Sequence, residues 1–262
     1  MAAAGARRVL ITGAAGLIGS VLREGLCGDY ELVGLDVKRG DGVDIRANLA
    51  RGSRRAARAF HDKDAVVDLA ADARVSTPWG RVLRNNLAAT VNSFEAARVA
   101  RVRRVVFASS NHVMGMYELD EPYKHIVSGD YDGLEPGDFR LLTADDPIKP
   151  DGPYGVGKAF GEAVGRYYAE THGLSVICLR IGSCNRTDRP DESREYATWL
   201  SHADLVRLVD CCLRAPEHVQ YAVYYGVSAN TWRFWDLSAA REEIGYEPRD
   251  DAERWRSTPA EP

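Results

Sequence analysis

Tyr154 and Lys158 stand four residues apart in the run Pro150–Lys158 (PDGPYGVGK), at the head of a helical pattern. In a helix that spacing puts both side chains on one face, one turn apart. A phenol titrates at about pH 10 and is a poor base near neutrality, so a neighbouring ammonium is the group that favours its ionised form. Such a pair suits removal of a hydroxyl proton while hydride leaves the same carbon. Upstream, Gly13, Gly16 and Gly19 follow an apolar strand pattern and open a helix, with Leu17 and Ile18 between the last two. Glycines so placed permit a tight turn, close approach of backbone to a pyrophosphate and close helix packing. Asp36, at the end of the second strand pattern, is placed to accept hydrogen bonds from an adenosine ribose and to repel a 2′-phosphate. The turn therefore predicts a dinucleotide, NAD in preference to NADP. Lys38 and Arg39 follow the acid without replacing it and read equally well as a solvated loop. Asp44 and Ile45, read as lying just after a third short strand, either flank the adenine or serve a structural turn.

The stretch Val105–Gly115 begins as a buried strand and ends in the polar residues Ser109, Ser110, Asn111 and His112. Ligands bind at the carboxyl ends of strands in open α/β sheets, so Ser110 is placed to touch a substrate.

Holding these groups together requires a sheet. Strand-like apolar runs recur at 9–12, 32–35, 65–70, 105–108 and 176–181, mostly separated by helical patterns, and another follows at 221–226. That alternation predicts an α/β fold: a Rossmann-type, doubly wound parallel sheet with helices on both faces. Ile18, Val21, Leu22 and Leu26 form one apolar stripe, and Val156, Phe160, Val164 and Tyr167 form another; both are expected to pack on the sheet. Between 118 and 151 the periodicity gives way to a polar stretch rich in Asp, Gly, Pro and Tyr, longer than a plain connection needs. It reads as a surface excursion near the site. Residues 1–182 are thus expected to form the nucleotide-binding domain, including the 118–151 excursion. Residues 183–262 form a small C-terminal substrate-binding lobe partly integrated with it.

The 262 residues are 45% hydrophobic and 27% charged with a net charge of −4, ordinary for a globular chain and no argument for nucleic acid. Arg51, Arg54, Arg55 and Arg58 sit at helical spacing without interleaved aromatics and read as a solvated helix face. Five cysteines without regular spacing suit a reduced, cytoplasmic setting. The start, Met1–Arg8, reads as too short for a signal peptide, and no apolar run reaches membrane-spanning length. The six histidines are scattered without metal-site spacing, so no metal is expected. Trp232, Phe234 and Trp235 either plug the C-terminal lobe or meet a second subunit.

Together, Thr12–Gly19 (TGAAGLIG), Ser110, Tyr154 and Lys158 resemble the extended branch of the short-chain dehydrogenase/reductase superfamily, over nearly the whole chain. The resemblance implies Tyr154 as general acid/base, Lys158 as the residue that binds the nicotinamide ribose and depresses the tyrosine pKa, and Ser110 as hydrogen-bond partner of the reacting oxygen. It implies cofactor contacts at Leu69, Ala70 and Ala71 after the fourth strand, and at Asn86 a position that supports the active-site strand and nearby cofactor contacts, the structural role being the favoured one. Oligomers are common in that superfamily, so a homo-oligomer is a possible state.

More closely, the chain resembles the uronate dehydrogenases through Phe107–His112 (FASSNH), Pro150–Lys158, Arg180–Cys184 (RIGSC) and Thr198–His202 (TWLSH). This implies oxidation of a hexuronate such as glucuronate or galacturonate at its anomeric carbon, giving an aldarolactone. Ser183 and Arg194 would bind the sugar acid, with Asn111 and His112 beside them on hydroxyls. An arginine suits the task because its planar guanidinium holds a carboxylate by two hydrogen bonds; alone, Arg194 reads as a solvated loop cation. His202 reads as a residue that ties the C-terminal segment down. Two features depart from the pattern: the length of the excursion, and Ala73 where a serine can touch sugar. Both also resemble NAD-dependent glucose-6-phosphate dehydrogenases, in which case Arg74 and Arg194 would meet a phosphate. A nucleotide-sugar epimerase or dehydratase uses the same serine, tyrosine and lysine. Such enzymes usually need a larger C-terminal lobe, and a dehydratase an acid where this chain has Asn111.

Overall fold

In the computed structural model, which describes residues 7–256, seven parallel strands form one sheet in the order β3-β2-β1-β4-β5-β6-β7. They are β1 (Arg8–Thr12), β2 (Glu31–Asp36), β3 (Ile45–Arg46), β4 (Ala65–Asp68), β5 (Arg104–Ala108), β6 (Ser175–Ile181) and β7 (Tyr221–Gly226). Most of the expectation about Met1–Arg8 concerns residues 1–6, which lie outside the described residues.

The central strands are almost continuously apolar because both their faces are covered. Val9, Ile11, Val67, Val106 and Ile177 pack toward α1 (Leu17–Leu26) and α5 (His202–Arg214). Leu10, Val66, Val105, Phe107 and Val176 pack toward α2 (Ala88–Val99) and α4 (Pro153–His172). The chain winds outward from β1 in one direction and from β4 in the other. The crevice at the carboxyl ends of these two strands is therefore the topological switch point where such sheets bind ligands.

Several sequence expectations are corrected here. Strand β4 stops at Asp68 and does not reach Ala70, because the N–H groups of Leu69 and Ala70 both donate to Thr12 Oγ1 at 3.1 Å and not to a ladder. Ile45 lies within β3, not after it. The apolar stripe of α4 is not its main inner face: Val156 and Tyr167 are exposed, and the buried positions include Tyr154, Gly157, Lys158, Gly161, Glu162 and Gly165. The glycines let the helix approach the sheet closely. A Cβ on Gly161 would lie 2.2 Å from Phe107 Cζ, and one on Gly165 would lie 2.9 Å from Val176 Cγ1.

The excursion is also more than surface. It begins within the turn Gly115–Leu119 and carries the short helix α3 (Tyr123–Ser128). Tyr123, Ile126 and Leu142 pack with Trp232, Phe234 and Trp235 into a third core. The backbone of Leu142 is clamped on both sides, its N–H donating to Phe234 O and its carbonyl accepting from Asp236 N, each at 2.8 Å. The three aromatics thus plug the C-terminal lobe. Within residues 183–262, β7 joins the main sheet beside β6 and α5 covers one of its faces.

Candidate active site

Gly13 adopts φ +68°, and a Cβ there would sit 2.9 Å from the Leu69 carbonyl oxygen. At Gly19 a Cβ would sit 2.7 Å from the Gly13 carbonyl. These contacts keep the turn tight against β4 and leave the N-terminus of α1, which has no side-chain cap, open to an anion. Asp36 braces the turn: one carboxylate oxygen accepts the Ala15 N–H at 3.0 Å and the other the Lys38 N–H at 2.8 Å. From here a cleft of about 470 Å³ runs past Leu17, Ile18, Leu69 and Ala71 to Ser110, Tyr154 and Lys158. A glycine turn that tolerates no Cβ, a free helix N-terminus and an acid at the end of β2 fit a dinucleotide.

Four of the sequence-derived cofactor positions lie outside that lining. The Asp44 carboxylate accepts the Gly34 N–H at 2.7 Å and faces Arg23 at 3.4 Å, while Ile45 packs against the core behind the sheet. Both have structural work here, because the chain must turn between β2 and β3. Ala70 is bound back to Thr12, as above. Asn86 pins the loop after β4, with Oδ1 accepting Asp72 N–H at 2.8 Å and Nδ2 donating to Asp72 O at 3.1 Å.

Ser110 leaves the end of β5, and Tyr154 and Lys158 come from the first turns of α4, whose start is set by Pro153 at its first position. All three line the cleft. Burial pushes the Tyr154 phenol up to about 12, an effect that Ser110 partly offsets. Burial lowers the Lys158 ammonium to about 8, opposed by the charge of Asp68. The amine donates to the Ala108 carbonyl at 2.6 Å and lies 5.7 Å from the centroid of the Tyr154 ring. Desolvation is thus the dominant influence on the Tyr154 phenol, and the amine is turned toward β5. Asp68 lies buried at the end of β4, accepts the Thr12 hydroxyl at 2.5 Å, and is pushed up by burial.

At the other end of the cleft lie Asn111, His112, Ser183 and Arg194. His112 Nδ1 meets Asp151 Oδ2 at 2.6 Å, which fixes the ring and leaves Nε2 for the cleft. Arg194 is not a free cation. Its Nε and Nη2 donate to the two carboxylate oxygens of Glu118, each at 2.6 Å, and its Nη1 lies 3.2 Å from Ser183 Oγ. Burial works against the guanidinium charge, but Glu118 outweighs it and holds the Arg194 pKa above its ordinary value. Arg74 is mostly exposed, pairs with Asp72 at 2.8 Å and is not part of the lining. His202 ties the segment down through Asn185 O at 2.8 Å.

Sequence reasoning missed the buried support beneath Ser110. Arg180 donates through Nε and Nη2 to the two oxygens of Glu162, at 3.0 and 2.9 Å, and Ser109 Oγ donates to Glu162 at 2.6 Å. This triad locks α4, β5 and β6 together one residue before Ser110. A signal was present: Arg180 interrupts a continuous apolar strand, and Glu162 falls one turn after Lys158 on the same face.

Fold and site together define a dinucleotide-dependent enzyme of the Rossmann type. The family model for the NAD dependent epimerase/dehydratase family matches residues 9–185. The chain is 35% identical to an NAD-dependent glucose-6-phosphate dehydrogenase of Haloferax volcanii, over 93% of this chain and 94% of the relative. It is 34% identical to an L-arabinose 1-dehydrogenase (NAD(P)(+)) of the same organism, over 94% and 97%. It is 35% identical to a uronate dehydrogenase of Agrobacterium fabrum, over 95% and 87%. The crystal structure of uronate dehydrogenase from Agrobacterium tumefaciens superposes with a TM-score of 0.80 at 33% identity, over 98% of this chain and 91% of that one. The chain belongs to the NAD dependent epimerase/dehydratase family and, within it, to the NAD-dependent sugar dehydrogenases. Among the described residues no helix is long and apolar enough to cross a membrane.

Proposed function

We propose that this protein oxidises a cyclic hexuronate at its anomeric carbon, giving the aldarolactone, by a mechanism built on Ser110, Tyr154 and Lys158. The observation that carries the reading is a single cleft in which the glycine turn, these three residues, Ser183 and Arg194 share the lining. The Gly13–Gly19 turn, Asp36 and Lys158 would hold NAD, which when bound would supply the hydride acceptor and a positive charge beside Tyr154. Tyr154 Oη takes the proton of the C1 hydroxyl. Ser110 Oγ donates to the same oxygen and orients it for that transfer. The Lys158 ammonium, one helical turn from Tyr154 and anchored on Ala108, is the charge that would favour the phenolate against the effect of burial. Asn111 and His112 line the cleft beside Ser110 and are assigned to sugar hydroxyls. Ser183 and Arg194 receive the carboxylate.

A second reading, an uncharged aldose, is favoured by the pairing of Arg194 with Glu118. The phosphorylated-sugar reading loses support with Arg74 turned to Asp72. A cytoplasmic setting, supported by five free cysteines, and a homo-oligomeric state complete the proposal. The test is turnover of glucuronate, galacturonate, glucose 6-phosphate and the neutral hexoses with NAD and with NADP, followed by absorbance of the reduced cofactor. Reduction of NAD with a uronate is the expected result. Activity confined to the phosphosugar would overturn the substrate and leave the Ser110, Tyr154 and Lys158 mechanism standing.

A further inference from the structure

The end of the cleft remote from the glycine turn is walled by Ser183, Cys184, Arg194 and Glu195. An arginine grips a carboxylate best through two parallel N–H bonds from one edge of its guanidinium. In Arg194 the edge formed by Nε and Nη2 is already engaged, with both donors 2.6 Å from the carboxylate oxygens of Glu118. Glu118 is not itself part of the cleft lining, so it grips Arg194 from outside the cleft, and the nitrogen next to Ser183 is Nη1, at 3.2 Å. The pair is partly buried, with side-chain exposures of 21% for Arg194 and 14% for Glu118, so solvent screens it only in part. Glu195 adds a second carboxyl to the same wall, held by Asn185 Nδ2 at 3.0 Å and the Asp191 N–H at 2.7 Å. The wall therefore lacks the net positive charge that would favour a sugar acid over its neutral parent.

Glu118 is the first residue of the 118–151 excursion, 76 positions from its partner. The excursion thus reaches the sugar end of the site from both its ends, through Glu118 on Arg194 and through Asp151 on His112.

We propose that Glu118 is a specificity-determining residue that acts through Arg194: it occupies the arginine's two-pronged edge and offsets its charge, so that the cleft admits uncharged aldoses alongside uronates. The proposal rests on the sugar dehydrogenase reading of the cleft. It predicts that neutralising Glu118 turns a permissive site into one selective for the acid.

The test compares sugars that differ only at C6, galacturonate with galactose and glucuronate with glucose, using the full chain and NAD. In Glu118→Gln the ratio of kcat/KM for uronate over aldose should rise about tenfold or more, mainly through a lower KM for the uronate. Glu118→Ala should move the ratio in the same direction, and Glu118→Asp, which keeps the charge, should leave it near the wild-type value. High salt should shrink the gain. A residue that merely held the turn in place would lower both sugars alike. An unchanged ratio in folded Gln and Ala variants, or an equal loss on both members of a pair, overturns the proposal while the sugar dehydrogenase reading stands. If wild type binds NAD yet oxidises no member of either pair, the hexuronate and hexose reading of the cleft falls, and the role of Glu118 falls with it.

Discussion

The Lys158 ammonium lies 2.6 Å from the carbonyl oxygen of Ala108 and 5.7 Å from the centre of the Tyr154 ring. The cation is thus anchored to the strand that delivers Ser110, and the phenol stands at about 12. In the proposed mechanism this tyrosine is the oxygen that accepts a proton when positive charge arrives beside it. Tyr154→Phe removes that oxygen and little volume. Turnover is expected to fall by about two or more orders of magnitude with NAD affinity retained, as measured by steady-state rates beside cofactor-binding titrations. Retained turnover would exclude the acid/base role.

Lys158 links the site to stability. Its folded pKa of about 8 lies below the ordinary 10.5 because burial disfavours the charged amine. Below about pH 8 both folded and unfolded chains hold the proton, and the cost of burying the ammonium is present in full. Between about 8 and 10.5 the unfolded chain binds more protons than the folded one, so stability rises with pH across that window. Subtracting the denaturant-unfolding free energy of Lys158→Met from that of wild type should give a difference that climbs through the window in favour of wild type. A flat difference would show that the amine keeps its ordinary pKa.

The sheet and the gathering of Ser110, Tyr154 and Lys158 in one cleft were legible because each has a local signature. Buried parallel strands are continuous apolar runs, and a Tyr/Lys pair four apart needs only one helical turn to meet. The inner face of α4 was not legible from apolar periodicity, since the residues that approach the sheet most closely there are glycines. The Arg194–Glu118 pair was not legible either, because its partners are brought together by the third core around Leu142, Phe234 and Trp235, and no spacing encodes that contact.

Gly161 tests this account of α4. A methyl added there would meet the ring of Phe107 at 2.2 Å, and the same helix carries Tyr154 and Lys158. Gly161→Ala gains intrinsic helix propensity of about 1 kcal/mol, yet the overpacking should cost about 1–3 kcal/mol. The expected outcome is a lower midpoint in thermal or urea unfolding, together with reduced kcat as the helix is displaced from β5. An increase in stability would mean that the helix stands farther from the sheet than described.

We propose that Asp36 decides between the two forms of the cofactor. Its carboxylate braces the glycine turn through Ala15 and Lys38, and it lines the cleft where the adenosine end of a dinucleotide belongs. Beside it, Arg39, Arg46, Arg51 and Arg55 surround a shallow hollow, so positive charge lies close at hand once the acid is gone. Two of these arginines belong to the stripe that the sequence presents as a solvated face, and all four are exposed. Asp36→Ser removes the repulsion toward a 2′-phosphate and keeps a small hydroxyl in the turn. The ratio of kcat/KM for NAD over NADP should therefore fall by about tenfold or more, with the NADP value rising in absolute terms. If both cofactors weaken equally, Asp36 serves the turn alone, and the discrimination against a 2′-phosphate must come from the shape of the loop between β2 and β3.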